Sequence, residues 1–255
     1  MQAWGIVSKS CCPDSASPQE TFTLTAMPHL NLEEEFERRA PWVTKFVIDG
    51  KEYGGDFDPS NDPRVPMFFK WFPDAREILE FGSLEGGHTF NLARSPGVKR
   101  VVALEARASN LERAVFVQHL LDISNIEFKV ANLEEIDLAT FGKFDALFCS
   151  GLLYHLPEPW KLISQFSKLS SNLFIWTHYA DDIQANEIIN GYAGKSYKEA
   201  GISDPLSGLS NMSFWPTLSS LIKMLTQNGY QKIHVLENNL THPHGPAVIM
   251  AATLI

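Results

Sequence analysis

Cysteine is scarce in this chain, with three in 255 residues. Cys11 and Cys12 are adjacent in a stretch rich in Ser, Thr and Pro, and Cys149 lies in an apolar run, so the spacing makes neither a disulfide framework nor a zinc site. The expectation is free thiols in a reducing compartment. Long apolar runs are missing too. No segment approaches the ~20 residues a membrane helix requires, which excludes an ordinary spanning segment. The N-terminus lacks the basic start, apolar stretch and cleavage pattern of a secretory signal, and a cytoplasmic location is expected. Positive charge is in short supply, with 21 Lys and Arg against 30 Asp and Glu and a formal net charge of −9. That balance opposes avid nucleic-acid binding, which draws on a basic face, while leaving room for a local basic patch. No internal repeat is visible.

What is present is the composition of an ordinary soluble globule, 44% hydrophobic and 20% charged, and long enough to bury one large core. Residues 1–28 have no periodicity and are expected to form a mobile leader. Residues 29–76 hold a charged helix-prone segment ending at Pro41, a short strand at Phe46-Val47-Ile48 entering the Asp49-Gly50 turn, and an aromatic helix over Met67–Phe72. This part is expected to cap the substrate side. From Glu77 onward the rhythm alternates, predicting strands at 77–82, 100–105, 126–130, 144–149 and 171–177 and helices at 87–94, 107–120, 133–139 and 158–169. A helix at 217–228 and strands at 231–237 and 247–254 follow. The implied fold class is α/β, a Rossmann-like doubly wound, mostly parallel seven-stranded sheet with a C-terminal antiparallel hairpin. Residues 180–215 break the rhythm with Gly, Ser, Asn and Pro and are expected to form a lid-like insertion in the domain spanning 77–255.

The most informative stretch is Glu80-Phe81-Gly82-Ser83-Leu84-Glu85-Gly86-Gly87-His88, a buried strand running through a glycine-bearing turn into a helix. In doubly wound sheets the ligand lies beyond the carboxyl ends of the strands, where strand order reverses. Gly82 permits the turn, Gly86 and Gly87 permit close approach of a ligand, and the helix N–H groups beyond suit a carboxylate. Glu80 is placed to receive an ammonium group. The next strand ends in Glu105 and Ala106, where a carboxylate can accept two ribose hydroxyls. A ligand with an amino-acid end and a ribose is S-adenosylmethionine. The third strand closes on Asn132 and Leu133, where the Asn132 amide oxygen suits the adenine amino group; the same residue also fits a helix cap with Glu135 three positions on.

The fourth strand runs Phe144 to Cys149, then Ser150-Gly151-Leu152-Leu153-Tyr154-His155-Leu156-Pro157. Ser150 and Gly151 pass beside the cofactor, and Tyr154 and His155 face the methyl acceptor. Histidine titrates near neutrality, which makes His155 the first candidate for a general base and His178, after strand five, the second. Trp42, Tyr53 and Trp215 are expected to supply acceptor walls. His88, His155, His242 and His244 have no metal-binding spacing, and no metal is expected.

With these motifs the chain resembles the class I S-adenosylmethionine-dependent methyltransferases, over roughly Pro41 to Tyr179 and most strongly at Glu80–His88, Glu105 and Asp145–Pro157. The resemblance is best to a branch with a Leu-Tyr-His-Leu-type signature after strand four. Arg38-Arg39-Ala40-Pro41-Trp42 is similar to the lead-in of the tRNA wobble-uridine carboxymethyltransferases. That group carries a lysine for its carboxylated cofactor where this chain has Arg39. The family's first turn usually carries a glycine where Leu84 stands, and the turn is expected to survive with an altered approach to the cofactor. The resemblance implies S-adenosylmethionine as cofactor and methyl transfer to oxygen or nitrogen of a small-molecule metabolite, by a monomer or homodimer. The alternatives are a tRNA-modifying methyl- or carboxymethyltransferase and a non-catalytic S-adenosylmethionine-binding partner protein.

Overall fold

The computed structural model describes residues 31–254. The expected leader, with Cys11 and Cys12, lies outside the described residues. The first helix, α1 (Leu32–Arg38), carries acids in its first turn and Arg38 in its last, the order that complements the helix dipole. Strands β1 (Lys45–Ile48) and β2 (Lys51–Gly54) form a hairpin. Its two turn residues, Asp49 and Gly50, both have positive φ (50° and 79°), as a tight hairpin demands. The aromatic helix α2 (Arg64–Trp71) follows, with Phe68 fully buried.

The alternating region gives β3 (Glu77–Phe81), α3 (Gly87–Arg94), β4 (Arg100–Glu105), α4 (Ala108–Leu120), β5 (Ile126–Val130), β6 (Ala146–Ser150), α5 (Pro159–Phe166) and β7 (Asn172–His178). The chain ends in α6 (Leu218–Gln227), β11 (Tyr230–Asn239) and β12 (Ala247–Leu254). The main sheet has seven strands in the order β11-β12-β7-β6-β3-β4-β5. Strands β3 to β7 are mutually parallel, and β12 is antiparallel to both β7 and β11. Strand order therefore reverses between β3 and β6, which opens a crevice above Phe81 and Cys149. The central strands are buried and mainly apolar: every residue of β6 is buried, and all of β4 but Arg100. Helix α5 buries Leu162, Ile163 and Phe166 against them.

One expectation fails. No helix forms over 133–139; the segment makes turns and a short 3-10 turn at Leu138–Phe141. The Gln165 side chain accepts from Leu138 N (2.8 Å) and donates to Ile136 O (3.1 Å), taking the backbone groups a helix would have used. The insertion at 180–215 has secondary structure of its own. It contains β8 (Glu187–Ile189), β9 (Tyr192–Lys198) and β10 (Met212–Pro216), a separate antiparallel sheet in the order β10-β9-β8. Its strands are polar on one face, a pattern that glycines and serines conceal from a reading by composition.

Candidate functional site

A cavity of about 410 Å³ opens at the crevice. Its floor is the β3 turn. Gly82 N and Ser83 N both donate to Leu104 O (2.9 and 3.0 Å), which folds the turn onto the end of β4. Leu84, at the family's glycine position, has φ +50°, so it adopts the left-handed conformation itself and the turn survives. Its N–H donates to Glu105 Oε2 (3.0 Å), and the other carboxylate oxygen accepts from Arg107 N (2.9 Å) and Asn110 Nδ2 (3.3 Å). Burial pushes the Glu105 carboxyl upward, against these hydrogen bonds.

Of the residues the sequence singled out for the cofactor, Gly82, Ser83, Glu105 and Ala106 line this cavity, as do Asn132, Leu133, Ser150 and Gly151. Two do not. Glu80 is buried beneath the turn, where its carboxylate accepts from Thr89 Oγ1 (2.5 Å). Burial raises its pKa to about 7, with Glu105 adding to the rise. Gly86 caps α3, and a Cβ there would come within 2.9 Å of the Phe90 ring, so helix packing rather than a ligand requires the glycine. Asn132 reaches the cavity, and its Oδ1 accepts from Glu134 N (3.1 Å), which leaves that oxygen one further lone pair.

The acceptor end lies between the β6 loop and β7. Tyr154 and His155 line it, with Trp176 as one wall. His155 Nδ1 lies 3.1 Å from Glu199 Oε2. His178 does not line the cavity: its ring stacks on Trp215 (5.2 Å) and its Nδ1 donates to Gly245 O (3.0 Å). Burial lowers its pKa to about 4, which keeps the ring neutral. Trp42, Tyr53 and Trp215 also fall outside the lining. Trp42 and Tyr53 pack on Phe36 (4.7 and 4.8 Å), forming a core for the N-terminal segment. Trp215 supports the site from behind, edge-on to Tyr154 at 5.9 Å.

Four residues that sequence reasoning missed matter here, one of them, Arg64, together with its partner Asp62. Arg64 lines the cavity, with Nη1 donating to Ser150 Oγ (3.0 Å) and its guanidinium over the Trp176 ring (4.6 Å). Asp62 grips the same guanidinium; although burial opposes it, Arg64 and His88 hold the Asp62 carboxyl well below its usual range. Glu85, in the turn, is fully buried and accepts from Val43 N and Thr44 N (3.0 and 2.7 Å), clamping the N-terminal segment to the site. Arg107 donates to the carbonyls of Ile202, Asp204 and Ser207 (3.3, 3.0 and 2.7 Å), tying the insertion over the cavity. Glu199 is the fourth. Only the acid at 85, inside the turn motif, stood where attention already was.

The donor set fits S-adenosylmethionine. Ser83 Oγ and Glu134 Oε1 are buried without hydrogen-bond partners, and both residues line the cavity. Glu105 keeps acceptor capacity for hydroxyls, since a carboxylate offers about four lone-pair sites. Among the described residues no group of three or more His, Cys, Asp or Glu is arranged to hold a metal ion, and no helix is long and apolar enough to cross a membrane.

The chain is similar to known proteins over most of its length. A family profile described as "Methyltransferase domain" matches residues 74–191. The N-terminal domain of EvdMO1, solved with SAH bound, is 34% identical, covers 88% of this chain and 96% of that one, and superposes with a TM-score of 0.80. The same domain solved in the presence of SAH and D-fucose is 35% identical, with coverage of 89% and 98% and a TM-score of 0.79. The chain spans 47% of full-length EvdMO1. A tRNA U34 carboxymethyltransferase of Sulfurimonas denitrificans is 24% identical over 227 residues, which are 87% of this chain and 71% of that protein.

Proposed function

Because the chain belongs to the class I S-adenosylmethionine-dependent methyltransferases, we propose that it methylates a hydroxyl oxygen of a small, sugar-like molecule. S-adenosylmethionine, when bound, supplies an electrophilic methyl carbon on a sulfonium. Methyl transfer of this kind is an in-line displacement, so the protein's task is to bring acceptor and methyl together and to manage one proton. Glu105 holds the ribose hydroxyls, and Arg64 offers its guanidinium to a carboxylate at the Ser150 side. Ser83 Oγ and Glu134 Oε1, buried without partners, receive the remaining polar groups of the cofactor.

The observation that carries the acceptor reading is the composition of the cavity's far end. His155, the proposed base, lines it together with Tyr154 and Trp176, a set of polar and aromatic groups suited to a small hydroxylated ring. The similarity to a domain crystallised in the presence of D-fucose supports the same class. A cavity of about 410 Å³, lined on one side by Pro205–Leu209 of the insertion, favours a small acceptor over a polymer. Isotopically labelled methyl supplied from S-adenosylmethionine tests this against a panel of deoxysugars and their glycosides, amines and tRNA. Label in a sugar hydroxyl is expected; label in tRNA alone overturns the reading.

The second reading, tRNA carboxymethylation, draws on the relatives of that name. It is opposed by the charge of −9 and by Arg39. That side chain pairs with Glu35 and lies over the Phe116 ring (3.9 Å), and it does not line the cavity. Salt-dependent tRNA binding in the micromolar range would favour this alternative.

A further inference from the structure

The segment Ser196-Tyr197-Lys198-Glu199-Ala200 has the sequence of a solvated strand end. The structure treats Glu199 otherwise. It is 6% exposed, and its carboxylate collects donors from three places. Ser213 Oγ on β10 donates to Oε1 (2.6 Å), and Ser207 Oγ and Gly208 N in the following loop donate to Oε2 (both 2.8 Å). The fourth partner is His155 Nδ1, 3.1 Å from Oε2 and 3.3 Å from Oε1. Burial alone would raise the carboxyl's pKa; the hydrogen bonds, that of His155 foremost, bring it down to about 2.

The insertion's own three donors would suffice to hold it together. The bond to His155 leaves the insertion and ends on a ring that lines the cavity. An ionised carboxylate only accepts, so Nδ1 must carry the proton, and the lone pair of the neutral ring is left on Nε2. The approach is close. A Cβ at Gly208 would lie 2.5 Å from His155 O, and Phe214 N donates to Leu156 O (2.9 Å). The insertion thus packs directly on the loop that carries the base.

We infer that Glu199 is the positioning residue for His155, fixing the tautomer that leaves Nε2 as the basic nitrogen at the acceptor. The inference rests on the proposed hydroxyl acceptor and names the residue through which that site gains its base. The acceptor oxygen forms its bond to the methyl carbon and loses its proton to Nε2 of His155. The carbon–sulfur bond breaks with its electron pair left on sulfur. The imidazolium so formed faces an ionised Glu199, which stabilises the positive charge. The groups that bear on the ring are Glu199 at Nδ1 and Tyr154 against it at 4.1 Å, with Arg64 and His244 sharing the cavity wall.

The test is ring-nitrogen NMR on the full chain labelled in its histidines, with His155 assigned by His155→Gln. In the wild type, His155 in its neutral form is expected with Nδ1 protonated and Nε2 bare. Glu199→Ala is expected to move the proton to Nε2, the form a free histidine side chain prefers. Ser213→Ala loosens the same network but keeps the carboxylate, and is expected to leave the tautomer as in the wild type. A wild-type ring with Nε2 protonated overturns the proposal, and so does an unchanged tautomer in Glu199→Ala. The wild-type result decides the matter even where Glu199→Ala does not fold. Calorimetry with S-adenosylhomocysteine is run alongside: failure of the wild type to bind it overturns the cofactor site, independently of the tautomer.

Discussion

At the scale of the residue, the site's polar groups divide into those that face the cavity and those that hold the turn. Glu80 belongs to the second kind. Its carboxyl, raised by burial to about 7 in the fold from its ordinary value of 4.5, binds its proton more tightly when folded. The stability this contributes is full below about pH 4.5 and is lost as pH rises through about 7. Glu80→Gln is therefore expected to lose less melting temperature than the wild type between about pH 4.5 and about pH 7.5, measured by thermal denaturation across that range. A parallel decline in both would contradict the assignment. Leu84 is a different case. A leucine with φ +50° bears a cost of about 1–2 kcal/mol that a glycine avoids. Leu84→Gly is expected to keep its fold and its S-adenosylhomocysteine affinity within about threefold, because the strain relieved offsets much of the added chain entropy. Calorimetry and melting together check this. The acids at 80 and 105 were legible from their places at strand ends. That Glu80 turns inward was not, because Thr89, nine residues away, is what draws it.

At the scale of the element, the insertion is the part least visible in the sequence. Strands β8, β9 and β10 are short, and their partners are one another rather than the main sheet. Alternation of glycine, serine and lysine gives no apolar period to detect. Its anchoring comes from Phe214, 1% exposed and edge-on to Trp160 at 5.7 Å, and from the Arg107 bonds to three carbonyls. Truncating Phe214 to Ala is expected to cost about 3–5 kcal/mol in chemical denaturation. Arg107→Ala acts on the other side of the cavity. It is expected to leave stability nearly unchanged and to raise the off-rate of S-adenosylhomocysteine at least about fivefold in stopped-flow, since lids of this kind gate release. An unchanged off-rate would show that the insertion does not close over the cofactor. The seven strands of the main sheet, by contrast, were legible nearly to their ends, because long buried runs alternate with amphipathic helices at fixed spacing. The helix expected at 133–139 was lost to Gln165, a competitor 27 residues from Leu138 that no local pattern reveals.

At the scale of the whole molecule, topology explains why the site stands where it does. Order reverses between β3 and β6, and the loops after β3, β4, β5 and β6 converge on one crevice. The N-terminal segment is brought to that crevice by Glu85, and the insertion by Arg107 and Glu199. Three separate stretches of chain therefore meet at the cavity, and only the middle one carries a motif. This is why the lining that follows β3, β4, β5 and β6 could be read from sequence, while most of the remaining lining depends on contacts between residues far apart in the chain. His155 was legible too, since its signature loop follows directly from β6. The aromatic residues Trp42, Tyr53 and Trp215 do not line the cavity, whereas Trp176, Phe57 and Arg64 do.

The central claim is that this crevice holds S-adenosylmethionine with Glu105 on its ribose. Calorimetric titration of the full chain and of Glu105→Ala with S-adenosylhomocysteine, with melting curves as the control for folding, tests it most directly. The account predicts micromolar binding by the wild type and a loss of at least about tenfold in Glu105→Ala, the size expected when charge-assisted hydrogen bonds are removed. No binding by the wild type, or undiminished binding by a folded Glu105→Ala, would contradict it.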